Sequence, residues 1–257
     1  MSKKNGFTVC NILGVDIAVT NMQDVLAYIE QNIDKLRGEY ICVSNVHTTV
    51  TAHDDAAYCN VQNSAVLALA DGKPLSVVSK KRGYHQAQRV TGPDLMGELF
   101  QRDNGLKHFF YGDTQETLDI LKEKLLGEYP HIQIAGMVSP PFRALTEDEE
   151  QAHIKAMNDS GADIIWVGLG APKQERWMYE HKGLLNGVMI GVGAGFSYHA
   201  GRIKRAPMWM QKLSLEWLYR LMQDPVRLAK RYLITNTRFL WLVSKENRHY
   251  QKSEEVD

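Results

Sequence analysis

The chain has 257 residues, 44% of them hydrophobic and 23% charged, which suits one large α/β domain, alone or with an appendage, and argues against a disordered chain. Thirty Lys/Arg balance thirty Asp/Glu, so a uniformly basic nucleic-acid binder is not indicated. The three cysteines, Cys10, Cys42 and Cys59, form no CxxC or Cys/His ligand pair and read as reduced core thiols.

The N-terminal stretch MSKKNGFTVCNILGVDIAV has apolar runs broken by Asn11 and Asp16, and no small-residue cleavage site follows. No run of about 18 apolar residues occurs, so a cytoplasmic protein with no membrane span is expected. Short apolar runs then alternate with helical patterns. Strands are expected over 40–44, 66–70, 107–111, 132–137, 163–168 and 188–192, and helices over 22–36, 46–63, 92–102, 114–129, 146–159 and 172–185. Thr114 and Thr146 each stand ahead of acids, as helix N-caps do. This rhythm predicts an α/β fold: a mostly parallel sheet with helices on both faces.

After Gly201 no strand follows. Trp209, Leu213 and Trp217 recur every fourth residue, predicting an amphipathic helix from near Pro207; Pro225 interrupts it, and a second helix runs to about 243. Between 202 and 238 there are nine Lys/Arg and two acids, a local charge of +7 that calls for an acidic partner. The expected division is a core over 1–200, a basic helical appendage over 201–245 and a polar, fraying tail over 246–257.

Ligands of such sheets sit beyond the carboxyl ends of the strands. Those ends carry Ser44-Asn45, Asp71-Gly72, Gly112-Asp113, the stretch VGLGAPKQERWM with Gly168, Gly170, Gln174 and Glu175, and GVGAGFSYHAG with Gly191 and Gly193. A carboxylate brought out of an apolar strand, as at Asp71, is partly desolvated and becomes a better base. A turn aspartate bonding its own backbone fits the same residues. Gln174 and Glu175 open a helix, where a solvated amide and a helix-start acid fit equally. No GxxxxGK[ST], HExxH or D-x-D occurs, and GVGAGF lacks dinucleotide-site spacing. A bound diphosphate would therefore rest on arginines and backbone N–H groups, with Arg205, Arg220, Arg227 and Arg231 available. The same arginines fit a solvated basic face or an anionic membrane surface, to which the tryptophans would add interfacial contacts.

VSNVHT, ADGKPL, RVTGPDL, FFYG, VGLGAPKQERWM, GVGAGFSYHAG, RAPMWMQKLSLEWLYRL and VRLAKRYL occur in this order from residue 43 to 233. The ordered set resembles the WecG/TagA/CpsF glycosyltransferase family from about Cys10 to Trp241. The resemblance implies a Rossmann-like core and an inverting, metal-independent transfer from a UDP-sugar to an undecaprenyl-diphosphate-linked sugar at the inner face of the plasma membrane, with no cofactor, in cell-surface polysaccharide synthesis. It carries a general base onto Asp71 and further site roles onto Asn45, Arg89 and Gln174. The appendage arginines map onto Arg220 and Arg227, with Lys230 or Arg231 third. One departure, Val43 where some members have threonine, bears on the sugar rather than the reaction class. The resemblance also implies an oligomer that is idle in solution and switched on when membrane contact docks the appendage. Three other readings compete: a non-catalytic sugar-nucleotide-binding subunit, for which a carboxylate at the turn would be unneeded; an NAD-dependent oxidoreductase; and a salt-sensitive nucleic-acid-binding tail.

Overall fold

The computed structural model describes the backbone of residues 2–212 and 215–254; the side chains of 211–214, 227, 231 and 249–254 lie outside that description. The chain opens with β1 (Lys3–Lys4), β2 (Phe7–Ile12) and β3 (Val15–Ala18). β2 and β3 form an antiparallel hairpin whose turn residues, Leu13 and Gly14, both have positive φ (52° and 91°), matching the twist of paired strands. α1 (Met22–Asn32) tightens into a 3-10 turn (Ile33–Leu36) before β4 (Tyr40–Ser44).

The single helix expected over 46–63 is two helices, α2 (Val46–Asp54) and α3 (Ala56–Ser64). The break is at Asp55, which is extended and caps α3 by accepting from the Tyr58 N–H at 3.0 Å. β5 (Leu67–Ala70) follows, then α4 (Lys73–Lys81), a helix the sequence pattern did not announce, with Pro74 in its first turn. α5 (Gly92–Phe100), β6 (Lys107–Gly112), α6 (Gln115–Glu128), β7 (Gln133–Val138), α7 (Glu147–Asp159), β8 (Ile164–Gly168), α8 (Lys173–Glu180) and β9 (Val188–Gly191) lie close to expectation. A short α9 (Gly195–His199) was not foreseen. The helix expected from Pro207 is divided into α10 (Met208–Lys212) and α11 (Glu216–Gln223), and α12 (Pro225–Glu254) continues well past residue 243.

The nine strands among the described residues form one sheet in the order β1-β2-β3-β5-β4-β9-β8-β6-β7. Pairing is antiparallel in the N-terminal hairpin region and parallel from β3 onward, the Rossmann-like arrangement. Alternate residues of a strand serve opposite cores: Tyr40 and Cys42 of β4 face one, Ile41 and Val43 the other. α2, α3, α4, α7, α8 and the later part of α12 cover the first face, and α1, α5, α6 and α9 cover the second. The chain therefore leaves adjacent strands β4 and β9 toward opposite faces, through α2 and α9. Such a reversal opens a crevice at the carboxyl ends, where Ser44 pairs with Ala70 and Val167 with Gly191.

The C-terminal segment is only partly an appendage. Phe239, Leu242 and Val243 of α12 are buried in the first core, and Glu246 accepts from the Leu13 N–H at 3.2 Å and pairs with Arg82 at 2.7 Å. Each buried apolar side chain contributes about 1.5–3 kcal/mol. Phe239, Leu242, Val243 and Glu246 thus tie the helix to the body of the fold, while Val226, Leu233 and Trp241 of the same helix are exposed.

Candidate active site

Asp71 stands at the carboxyl end of β5, half-buried, with its N–H bonded to the Ser44 carbonyl of β4 at 2.7 Å. Beside it, Asn45 caps α2. The Asn45 Oδ1 accepts from the His47 and Thr48 N–H groups at 3.0 and 3.2 Å. With its oxygen so committed, the side-chain amide is oriented to donate to the Asp71 carboxylate, which it does. Desolvation pushes the Asp71 carboxyl up to about 6; the Asn45 hydrogen bond opposes this, Glu216 adds to it, and Arg220 and Arg89 draw it down. A carboxylate held by one amide and titrating near 6 is suited to take a proton from an alcohol at neutral pH.

Charged side chains converge on this point. Arg89, in the loop before α5, bonds Glu216 of α11 at 3.0 Å. Arg205 pairs with Asp94 of α5 and lies 3.7 Å from the other Glu216 oxygen. Arg220, one turn beyond Glu216, sits over the Tyr198 ring at 5.6 Å from its centroid. α11 thus closes against the crevice with an acid and a base on one face. Of the arginines read from the sequence, Arg89, Arg205 and Arg220 are brought together; the side chains of Arg227 and Arg231 lie outside the described residues. Glu216 went unforeseen. Its one signal was the four-residue spacing from Arg220, which places both on one helical face.

The glycines divide by cause. A Cβ on Gly168 would lie 2.8 Å from the Phe196 ring, one on Gly191 would lie 2.7 Å from Met178, and one on Gly112 would strike the Gly168 backbone at 2.5 Å. Close packing against a helix side chain accounts for Gly168 and Gly191, whereas Gly112 meets the backbone of the neighbouring strand and also has a positive φ of +135°. Gly170 is different: its φ is +77° and a Cβ there would meet nothing within 4 Å, so the turn conformation accounts for it. Gln174 and Glu175 point inward and are buried. Gln174 accepts from the Gly193 N–H at 3.0 Å and donates to Glu175 at 2.7 Å. The Glu175 carboxylate, the Gln174 amide and the Gly193 N–H are therefore engaged with one another, and burial pushes the Glu175 carboxyl upward. Among the described residues no three His, Cys, Asp or Glu side chains group as a metal site.

The family model described as the glycosyl transferase WecG/TagA/CpsF family matches residues 10–253. A Bacillus subtilis (strain 168) protein named N-acetylglucosaminyldiphosphoundecaprenol N-acetyl-beta-D-mannosaminyltransferase is 30% identical over 234 residues, covering 90% of this chain and 89% of its own. A Staphylococcus aureus (strain MW2) protein of the same name is 30% identical over 251 residues, covering 95% of each chain.

Proposed function

The chain belongs to the WecG/TagA/CpsF glycosyltransferase family, and on that premise we propose that it transfers a hexose or N-acetylhexosamine, of the N-acetylmannosamine kind, from a UDP-sugar to an undecaprenyl-diphosphate-linked sugar. The observation that carries the reading is Asp71: a carboxylate at the end of β5, titrating near 6, held by Asn45 and faced by arginines. In this reaction the acceptor hydroxyl gives its proton to Asp71 as its oxygen attacks the anomeric carbon from the face opposite UDP. The bond from that carbon to the diphosphate breaks, and UDP leaves with the electron pair. Charge growing on the diphosphate is stabilised by cations already in place, for which Arg89, Arg205 and Arg220 are the available groups. Arg89 and Arg205 share Glu216, so an anionic diphosphate competes with that carboxylate for both.

The acceptor class calls for a place at the membrane surface. Among the described residues no helix is long and apolar enough to cross a membrane. Trp209, Trp217, Val226 and Leu233 are exposed on α10, α11 and α12, amid the basic run, and support peripheral docking to anionic lipid at the cytoplasmic face. Transfer without a metal, by a homo-oligomer, completes the proposal.

The test is UDP release from a panel of UDP-sugars with a short-chain lipid-diphosphate N-acetylglucosamine acceptor, with and without EDTA. Release from one donor, dependent on acceptor and resistant to EDTA, is expected, and Asp71→Asn abolishes it while UDP affinity is kept. Normal turnover by that variant removes Asp71 as the base. UDP binding without release across several lipid-linked acceptors favours a non-catalytic sugar-nucleotide-binding subunit.

A further inference from the structure

Five hydrogen bonds, four of them buried, run in line from the end of β4 to the turn after β9, and all of them point toward one atom group. Ser44 Oγ donates to Gln62 Oε1 at 2.6 Å, Gln62 Nε2 donates to the Tyr58 hydroxyl at 2.9 Å, and that hydroxyl donates to Glu175 Oε2 at 3.0 Å. From the other end the Gly193 N–H donates to Gln174 Oε1 at 3.0 Å, and Gln174 Nε2 donates to Glu175 Oε1 at 2.7 Å. All five side chains are buried. An ionised carboxylate can only accept, so Glu175 sets the direction of the β4 branch, while the backbone N–H of Gly193 fixes the direction of the other. Burial pushes the Tyr58 hydroxyl upward as well, which keeps it a donor.

We propose that Glu175 is a positioning residue for sugar transfer: as the shared acceptor it holds Ser44 and the Gly193 turn in the one arrangement that supports Asp71. The Ser44 carbonyl carries the Asp71 N–H, and the next residue, Asn45, holds the Asp71 carboxylate, so the β4 branch ends on the support of the base. This rests on the reading of Asp71 as the base.

The two branches respond differently to a change at their junction. Glu175→Gln keeps the shape but offers one acceptor and one donor. The Gly193 branch ends in a backbone N–H and cannot reverse, so the new amide oxygen stays with Gln174 and the NH2 turns to Tyr58. The Tyr58 hydroxyl then donates to Gln62, the Gln62 amide flips and donates to Ser44, and the Ser44 proton is left over at the end of β4. The damage is directed to Asp71 and not to the Gly193 turn.

The experiment compares wild type, Glu175→Gln, Tyr58→Phe, their double variant and Glu175→Ala. It reads kcat and KM for the donor sugar that the wild type uses, and amide hydrogen exchange at Gly193. In Glu175→Gln, kcat falls about tenfold to a hundredfold, as expected for a misplaced catalytic group, with donor KM within about threefold. Gly193 stays protected in that variant and loses protection in Glu175→Ala. Tyr58→Phe lowers kcat through the same branch, so the double variant is no worse than the more impaired single one. Unchanged kcat in both Glu175→Gln and Tyr58→Phe overturns the proposal, as does exposure of Gly193 in Glu175→Gln. If the wild type transfers no sugar at all, the glycosyltransfer reading fails by itself. The network is then judged on exchange alone, and unchanged Gly193 protection in Glu175→Ala overturns it.

Discussion

Asp71 fixes two measurable pH dependences. A base must be ionised to act, so the acid limb of kcat/KM should have its midpoint near pH 6, where burial places this carboxyl. The same shift acts on stability with the opposite sense. The folded-state value, about 6, lies above the ordinary aspartate value of 3.8, so the native state holds its proton more tightly than the unfolded chain. Stability contributed at this site is present below about pH 4 and lost as pH rises through about 6. Asp71→Asn removes that loss and is expected to raise stability at pH 7.5 by up to about 3 kcal/mol, and by little at pH 4. Thermal melts at the two pH values check it; a destabilised Asp71→Asn at pH 7.5 contradicts it. Asp71 was legible because an apolar strand ending in Asp-Gly announces a carboxylate at a sheet edge. Glu175 was visible as a residue but not as a buried one, because a helix-start acid looks the same whether it faces water or Tyr58.

At the scale of elements, α11 tunes the Asp71 carboxyl through its charged residues. Glu216 raises the Asp71 carboxyl by charge repulsion while holding Arg89 and Arg205. Glu216→Gln removes the repulsion and frees Arg89, while Arg205 keeps its pair with Asp94, so the acid limb of kcat/KM should move to lower pH than in wild type. A limb that stays in place or moves upward shows that α11 does not face Asp71 in the working enzyme. The strands and most helices were readable from period and caps. The Asp55 break within 46–63 was not, since Asp54-Asp55 sits in an otherwise continuous helical pattern. α4 was missed because Val77 and Val78 weaken its helical signal. The Glu216–Arg89 pair spans 127 residues, and no local pattern reports a contact that long.

The whole molecule combines two surfaces on one long helix. The later part of α12 is core, and Phe239→Ala is expected to cost about 3–5 kcal/mol in denaturant or thermal unfolding. The earlier part is not core: Val226 is 95% exposed and Leu233 73% exposed, so aspartate at both positions should leave the melting temperature nearly unchanged. The same double variant should lose binding to vesicles containing anionic lipid, and retained binding would refute the docking surface. Removing everything after residue 200 would test neither point cleanly, because it deletes core and surface together. That helices alone follow β9 among the described residues was legible in the sequence. The return of Phe239, Leu242 and Val243 to the core was hidden, because their apolar spacing fits a membrane-facing helix as well as a buried one.

That return has a consequence for synthesis. The β2–β3 turn waits for a carboxylate 233 residues further along the chain, and the groove that receives Phe239 opens on the same core. At about 5–20 residues per second, the beginning of the chain is out of the ribosome for roughly 10–50 seconds before its end can seal it. During that interval the nascent protein presents an unsealed oily seam, which makes it a client for holding factors, and ribosomes stalled late in the message would release a sticky, inactive product.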